Sequence, residues 1–275
     1  MNAPCQLTHQ DFKSDVKPIW CPGCGDFAVL SSVTKALADL GKPREEIAFI
    51  SGIGCSSRIP AYTQVYGFHG VHGRALAIAA GVKLARPDLT VLAAGGDGDG
   101  LSIGGNHFLH ACRRNVDMTY IIMDNEVYGM TKGQASPTTQ PDWTKSKLTP
   151  EGTGISAVEP VRLALAAGAN FIARGFSGNP NEVARLIYEG IQHPGFSFIQ
   201  VLSPCVTYRP EEREWKNLVH PAEGNPSQVM AEAMHRLAGD DGFSTGVLFA
   251  GNRAPFKPPS RNVATVTDLE RKFAS

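Results

Sequence analysis

"LTVLAAGGDGDG", residues 89–100, is an apolar run with a β-branched pair near its start that ends abruptly in glycine and aspartate. A buried strand of a parallel sheet has this form, and the glycines mark its carboxyl end. Upstream, "EEIAFIS" (Glu45 to Ser51) is a second short apolar run, stopped by "GIG". Between the two, "GRALAIAAGVKLARP" from Gly73 is rich in alanine and leucine, lacks alternation and stops at Pro87, which predicts a mostly buried helix. Downstream, "LSIGGNHFLHACRRN" predicts a helix from about Ile103 to Arg114, its first turn weakened by Gly104 and Gly105, and "MTYIIMD" (Met118 to Asp124) a further strand. The helix "PVRLALAAG" opening at Pro160, the strand "NFIAR", the helix "NEVARLIYEGIQ" and the strand "FSFIQVLSP" extend the rhythm. Near the start, "FAVLSSVTKAL" predicts a helix capped by Asp26. Strands alternating with helices predict an α/β fold, a mostly parallel sheet covered by helices on both faces.

Two regions break that rhythm. From about Gly133 to Glu159 the chain is polar and rich in proline and glycine, too long for an ordinary connection and therefore read as a functional loop. After Cys205 comes a tail with one expected helix, near Ser227 to Leu237, too short to fold by itself. The expectation is one domain over residues 1–275, with a knuckle at 18–26 and a C-terminal extension at 206–275. The 26 basic residues balance the 26 acidic ones, so no overall field favours nucleic acid or an anionic membrane. The opening "MNAPCQLTHQDFKSD" is polar with both charge signs, unlike a secretory leader, and no later run approaches a membrane span. A cytoplasmic location is expected.

Ligands of open α/β sheets sit beyond the carboxyl ends of the strands, where "GGDGDG" falls, and the amides opening the next helix attract phosphate. The spacing matches neither a GxGxxG fingerprint nor a GxxxxGK[ST] loop. Carboxylates beside a diphosphate repel it unless a cation bridges them, so a hard divalent metal carrying a diphosphate is the sensible content. At the end of the next strand, "MDNEVYGM" supplies Asn125 and a tight turn. Mg²⁺ prefers octahedral oxygen, which the Asp97 carboxylate, the Asn125 amide oxygen and a backbone carbonyl near Val127 could begin to provide. Gly-Asp-Gly followed by an asparagine a little under thirty residues on is the pattern of thiamine-diphosphate enzymes. The bland alternative is a glycine-rich turn with a helix-capping aspartate.

Six cysteines in a chain of this length are too sparse for a disulfide scaffold. Cys21 and Cys24 form a CxxC knuckle in "WCPGCGD", Cys55 follows a strand in "GIGCSSR", and Cys205 follows the last one in "SPCVTY". Four such thiolates suit a [4Fe–4S] cluster or tetrahedral zinc, and spacing alone leaves cluster, zinc and no ligand all open. A redox-disulfide knuckle wants a preceding strand, which is missing here. Cys112 reads as a packed helix residue, and Cys5 has no context.

Taken together, "WCPGCGDFAVL", "GIGCSSRIP", "HGVHGRALAIAAGVKLA", "GGDGDGLSIGGNHFLHACRRN", "DNEVYGMTKGQASPTT" and "SPCVTY" resemble the β subunit of the 2-oxoacid:ferredoxin oxidoreductases, over most of residues 18–209. The resemblance implies a thiamine-diphosphate-binding fold and one [4Fe–4S] cluster on Cys21, Cys24, Cys55 and Cys205. No ferredoxin-like CxxCxxC run offers a second. It also implies Mg²⁺ on Asp97, Asn125 and the Val127 carbonyl. The cofactor would lie among Gly96, Gly98, Asp99, Tyr128, Gly129, Met130 and Thr131, with Cys55 and His72 beside it. The implied reaction is oxidative decarboxylation of a 2-oxoacid to acyl-CoA and CO₂, reversible in principle, with coenzyme A as cosubstrate and electrons passing singly to ferredoxin. An α subunit would supply the activating glutamate, in an (αβ)₂ assembly.

Arg58 and Lys132 lie in loops resembling the family's substrate pocket, and two cations suit a dicarboxylate, which points to 2-oxoglutarate. Taken singly and without the resemblance, each is better read as a solvated loop charge. His72 could donate to the diphosphate or serve as a packed or capping residue, and Asp99 could face the aminopyrimidine or cap a helix. The competing readings are a pyruvate-type member, a non-redox thiamine-dependent decarboxylase with zinc on its cysteines, and a zinc-knuckle binding module. The balanced charge speaks against the last.

Overall fold

The computed structural model describes residues 7–257 and 266–274. Cys5 lies outside them. In chain order the elements are α1 (Asp26–Asp39), β1 (Ile47–Ser51), β2 (Tyr66–His69), α2 (Ala75–Ala85), β3 (Thr90–Gly96), α3 (Gly105–Arg114) and β4 (Met118–Asp124). A two-residue hairpin, β5 (Val127–Tyr128) and β6 (Gln134–Ala135), precedes α4 (Pro160–Ala166), β7 (Phe171–Phe176), α5 (Pro180–Gln192) and β8 (Phe196–Leu202). The tail holds α6 (Trp215–Leu218), β9 (His220–Pro221), α7 (Met230–Ala238), β10 (Ser244–Ala250) and α8 (Val266–Phe273).

The main sheet has eight strands in the order β2-β1-β3-β4-β8-β7-β10-β9. From β2 to β7 every neighbouring pair is parallel, while β10 runs antiparallel to β7. Alternate residues of each central strand serve opposite faces, because side chains in a strand repeat every second position. Leu92, Ala94, Ile121, Met123, Ile199 and Val201 pack against α1 and α5. Val91, Ala93, Tyr120, Ile122, Phe196 and Phe198 pack on the other face with α2, α3, α4 and α7. The helices follow local rules. In α5, the Asn179 side chain accepts from the Glu182 amide, Pro180 occupies the first turn, and Val183, Leu186, Ile187 and Gly190 form the buried stripe.

The structure departs from the sequence reading in four places. Residues 206–275 were expected to hold one helix, yet they supply β10, which continues the sheet, as well as α7. The strand alternates weakly and contains Gly246 at φ +123° with an irregularity at Val247/Phe249, so its period was illegible. Strand β2 was also missed, because all four of its residues are exposed at the sheet edge and carry no burial pattern. The helix expected from about Ile103 begins at Gly105, after one wide turn over Asp99–Ile103 closed by the Gly104 amide on the Asp99 carbonyl at 3.2 Å. Such π turns widen the backbone and recur at functional sites. Finally, Asp26 does not cap α1. Gly25 takes the N-cap position, and the Asp26 carboxylate is buried, accepting from Ser203 Oγ at 2.8 Å.

Candidate functional site

Because parallel strands end together, the loops after β1, β3 and β4 meet above one edge of the sheet. They enclose a cleft of about 540 Å³ counting its open mouth. Gly96, Asp97, Gly98 and Asp99 come from the end of β3 and the loop after it, and Asn125 and Val127 to Thr131 from the segment after β4. Cys55 and His72 close the cleft from the neighbouring loops. Every residue expected around the cofactor therefore lines one cavity, from stretches far apart in the chain.

Asp97 is 2 % exposed. Burial, and then the charge of Asp124, push its carboxyl up to about 7. Thr138 Oγ, from the long polar loop, contacts Asp97 Oδ2 at 2.9 Å and Asp124 Oδ1 at 2.8 Å, so a single hydroxyl proton is shared by two buried carboxylates. Glu126, beside them, is held up at about 8, chiefly by burial and against the opposing pull of Arg209. Buried Asp97 and Asp124, with part-buried Glu126 near them, crowd negative charge into a region that gains from a cation. The Asn125 side-chain oxygen receives the Val127 amide at 3.2 Å, which folds the turn and fixes the asparagine beside the cleft.

Asp99 does not cap the helix that follows it. Its Oδ1 accepts the amides of Gly73 at 2.7 Å and Ile53 at 3.0 Å, and His72 Nδ1 lies 3.4 Å away. It thus pins the loops after β1 and before α2 to the floor of the cleft. Gly98 is obligatory here, since a Cβ would lie 2.2 Å from the Tyr128 ring, whose hydroxyl donates to the Gly98 carbonyl at 3.2 Å. Arg58 and Lys132 are placed differently. Arg58 is partly buried next to Cys55 in the turn Ser56–Tyr62, and Lys132 is exposed with a left-handed backbone at φ +79°. Neither is among the residues lining the cleft.

The cysteines converge at the same sheet edge. The knuckle is tied down by the Gly25 amide on the Pro204 carbonyl at 3.2 Å, and Trp20 Nε1 donates to the Cys55 carbonyl at 2.8 Å. The Cys205 amide is received by Glu212 at 2.7 Å. A Cβ on Gly129 would stand 3.7 Å from Cys205 Sγ and 3.8 Å from Cys55 Sγ, so both sulfurs flank bare backbone at the cleft's edge. Burial raises the Cys24 thiol above its ordinary range and that of Cys55 to about 12, with nearby Asp26 and the other cysteines pushing the same way. Cys24, Cys55 and Cys205 are partly desolvated while Cys21 is exposed, and a cationic centre that took them as thiolates would offset the cost of their burial. Among the described residues no three His, Cys, Asp or Glu side chains close on a point that one ion could occupy.

Sequence reasoning missed Asp124, Thr138, Glu126 and Arg209. Arg209 pairs with Glu126 at 2.7 Å and Glu212 at 2.6 Å and stacks 4.6 Å from the Trp143 ring, joining the loop after Cys205 to the long polar loop. Asp124 ends a strand and reads as a helix or turn signal, and only its placement opposite Asp97 makes it part of the site. Among the described residues no helix is long and apolar enough to cross a membrane.

Residues 52–201 match the family of thiamine pyrophosphate enzymes, in their C-terminal TPP-binding domain. The chain is 48% identical over 196 residues to the 2-oxoglutarate oxidoreductase subunit KorB of Mycobacterium tuberculosis, a match covering 71% of this chain and 52% of that one. It is 46% identical to the 2-oxoglutarate synthase subunit KorB of Methanocaldococcus jannaschii over 190 residues, 69% of this chain and 70% of the relative. A solved 2-oxoglutarate:ferredoxin oxidoreductase from Magnetococcus marinus, with 2-oxoglutarate, coenzyme A and succinyl-CoA bound, superposes with a TM-score of 0.88. That likeness is at 38% identity and covers 98% of this chain and 91% of the other. The match spans only about half the length of the mycobacterial relative.

Proposed function

The chain belongs to the β subunits of the 2-oxoacid:ferredoxin oxidoreductases, which bind thiamine diphosphate, and from that premise we propose that it is the β subunit of a 2-oxoglutarate-type enzyme. It would convert the 2-oxoacid and coenzyme A to acyl-CoA and CO₂ and pass two electrons singly to ferredoxin. The observation that carries this reading is the single cleft in which Asp97, Asn125 and the Val127 backbone meet under the glycine loop, with Cys55 on its wall. The buried acids fit Mg²⁺, and the bare backbone at Gly96 and Gly98 fits a diphosphate.

Thiamine diphosphate, when bound, supplies the carbanion chemistry that side chains lack. The chain's own residues do the rest. Asp97 and Asn125 would hold the cation that carries the diphosphate, and Asp99 holds the flanking loops in place through the Ile53 and Gly73 amides. Tyr128 braces the glycine turn from the cleft side. Cys55, which lines the cleft, would with Cys21, Cys24 and Cys205 hold a [4Fe–4S] group that supplies single-electron transfer beside it. The names of the relatives favour 2-oxoglutarate. Arg58 and Lys132 retain a substrate role only if closure with a partner brings them to the cleft.

The proposal includes an α partner, ferredoxin as acceptor and an (αβ)₂ assembly. The test is anaerobic purification with whatever chain copurifies, then iron and sulfide analysis and ferredoxin reduction with 2-oxoglutarate and with pyruvate. About four irons per chain and CoA-dependent reduction preferring 2-oxoglutarate are expected. Zinc without sulfide rejects the redox reading, and a preference for pyruvate rejects the substrate.

A further inference from the structure

The two carboxylates that share Thr138 do not stand alone. Continuing strand by strand on the same face, Gln200 Nε2 of β8 donates to Asp124 Oδ2 at 2.7 Å. Arg174 Nε of β7 donates to Gln200 Oε1 at 2.9 Å. Arg174 Nη1 then donates to Asp240 Oδ2 at 2.7 Å and to the Ser244 carbonyl at 3.1 Å, at the start of β10. The register sets Gln200 beside Arg174 and places Asp124 one alternation past Ile122, the neighbour of Gln200. Asp97, Asp124, Gln200 and Arg174 are each no more than 4 % exposed, as is Thr138.

A buried arginine in the middle of a sheet is costly unless its partners are fixed, and a buried carboxamide that faces an acid on one side and a guanidinium on the other has one orientation that satisfies both. Gln200 is therefore oriented by Arg174, and it presents its amide N–H to Asp124. Asp124 held in this way presents its other oxygen to Thr138, and Thr138 limits where Asp97 can turn. Resting on the reading of Asp97 as a ligand of Mg²⁺ that carries a diphosphate, we propose that Gln200 and Arg174 are positioning residues for that ligand. Through Asp240 and the Ser244 carbonyl they make cation affinity depend on the start of the C-terminal strand, outside the loops that line the cleft. Partners of a ligand commonly govern its affinity in this manner.

The test uses the complete protein purified with its copurifying partner and titrates Mg²⁺ calorimetrically at saturating thiamine diphosphate. Gln200→Met, which keeps the volume and removes both hydrogen bonds, is expected to weaken Mg²⁺ binding by about 10-fold or more. Arg174→Lys keeps a cation for Asp240 but lacks the second nitrogen for Gln200, so it is expected to shift affinity the same way and serves if the first variant does not fold. A purely structural role predicts a lower melting temperature with unchanged affinity, and that result overturns the inference. The decisive comparison is the cycle with Thr138→Val. Transmission through Thr138 requires that Gln200→Met cause no further loss of affinity in the Thr138→Val background. Independent, multiplying losses overturn it. If the unaltered protein binds Mg²⁺–thiamine diphosphate normally, failure here leaves the cofactor reading intact. If the unaltered protein does not bind it, and Asp97→Asn changes nothing, the cofactor reading falls and this inference with it.

Discussion

Strand β8 contains two different environments within five residues. Phe196 and Phe198 lie in an aromatic cluster with Phe108, the Phe108 and Phe198 rings 5.0 Å apart. Gln200, one alternation further along the same face, lies instead in a row of hydrogen-bonded polar groups. The same change occurs along β4, from Tyr120 and Ile122 to Asp124. Towards the carboxyl ends of the strands the face that makes the core becomes the face that makes the site. The apolar half stabilises the fold by area, whereas the polar half buries charge at a cost to stability. The two halves should therefore respond oppositely to substitution.

The sharpest break in that contrast is Asp97→Asn. It removes one of two buried, mutually repelling carboxylates, so Mg²⁺-dependent cofactor binding is expected to fall by at least about 100-fold while the melting temperature stays level or rises. Calorimetry and thermal melts on one sample read both numbers, and a melting temperature lowered together with binding would contradict the division. Phe198→Ala is the mirror image. It should destabilise by about 3–5 kcal/mol through the cavity left among Phe108 and Tyr120, with cofactor affinity in the folded fraction nearly unchanged. Denaturant unfolding checks the first figure, and a matching loss of affinity would show the halves to be mechanically linked.

Gly98→Ala lies at the boundary. Its Cβ would collide with the Tyr128 ring, and displacing the ring should cost about 1–3 kcal/mol of stability and weaken binding as well. Activity against cofactor concentration, compared with Tyr128→Phe, separates the collision from the lost hydroxyl bond. The smallest expected effect is remote from both halves. His220 is raised above the ordinary histidine value by the Pro221 carbonyl and by Asp241. Its contribution to stability is therefore complete below the unfolded-state pKa and is lost as pH rises through the higher folded-state value. A wild-type melt should fall slightly more than that of His220→Gln between mildly acidic and mildly alkaline buffer. Equal slopes would remove His220 from the account.

Much of this was legible beforehand for a definite reason. Central strands such as Val91–Ala94 and Ile121–Met123 are apolar on both faces, so they stand out without any knowledge of neighbours. The glycines and Asp97 sit where such a strand must stop. Strand β10 was illegible because it is an antiparallel addition with a glycine and an irregular register, stabilised by pairing with β7 instead of by its own pattern. Asp26 was misread for the opposite reason. Its local sequence suits a cap, but Ser203, 177 positions away, takes its carboxylate.

The sequence by itself determined the alternation of strands and helices, the sheet edge where the glycines and Asp97 fall, and the cysteines and Asn125 that accompany them. These are properties of short windows, dictated by burial period and by backbone freedom. The tertiary structure alone decided what each acid faces: Thr138 between Asp97 and Asp124, with Gln200 and Arg174 behind them. The partner of a buried polar group is chosen by strand order and register, and those are settled by packing over the whole chain.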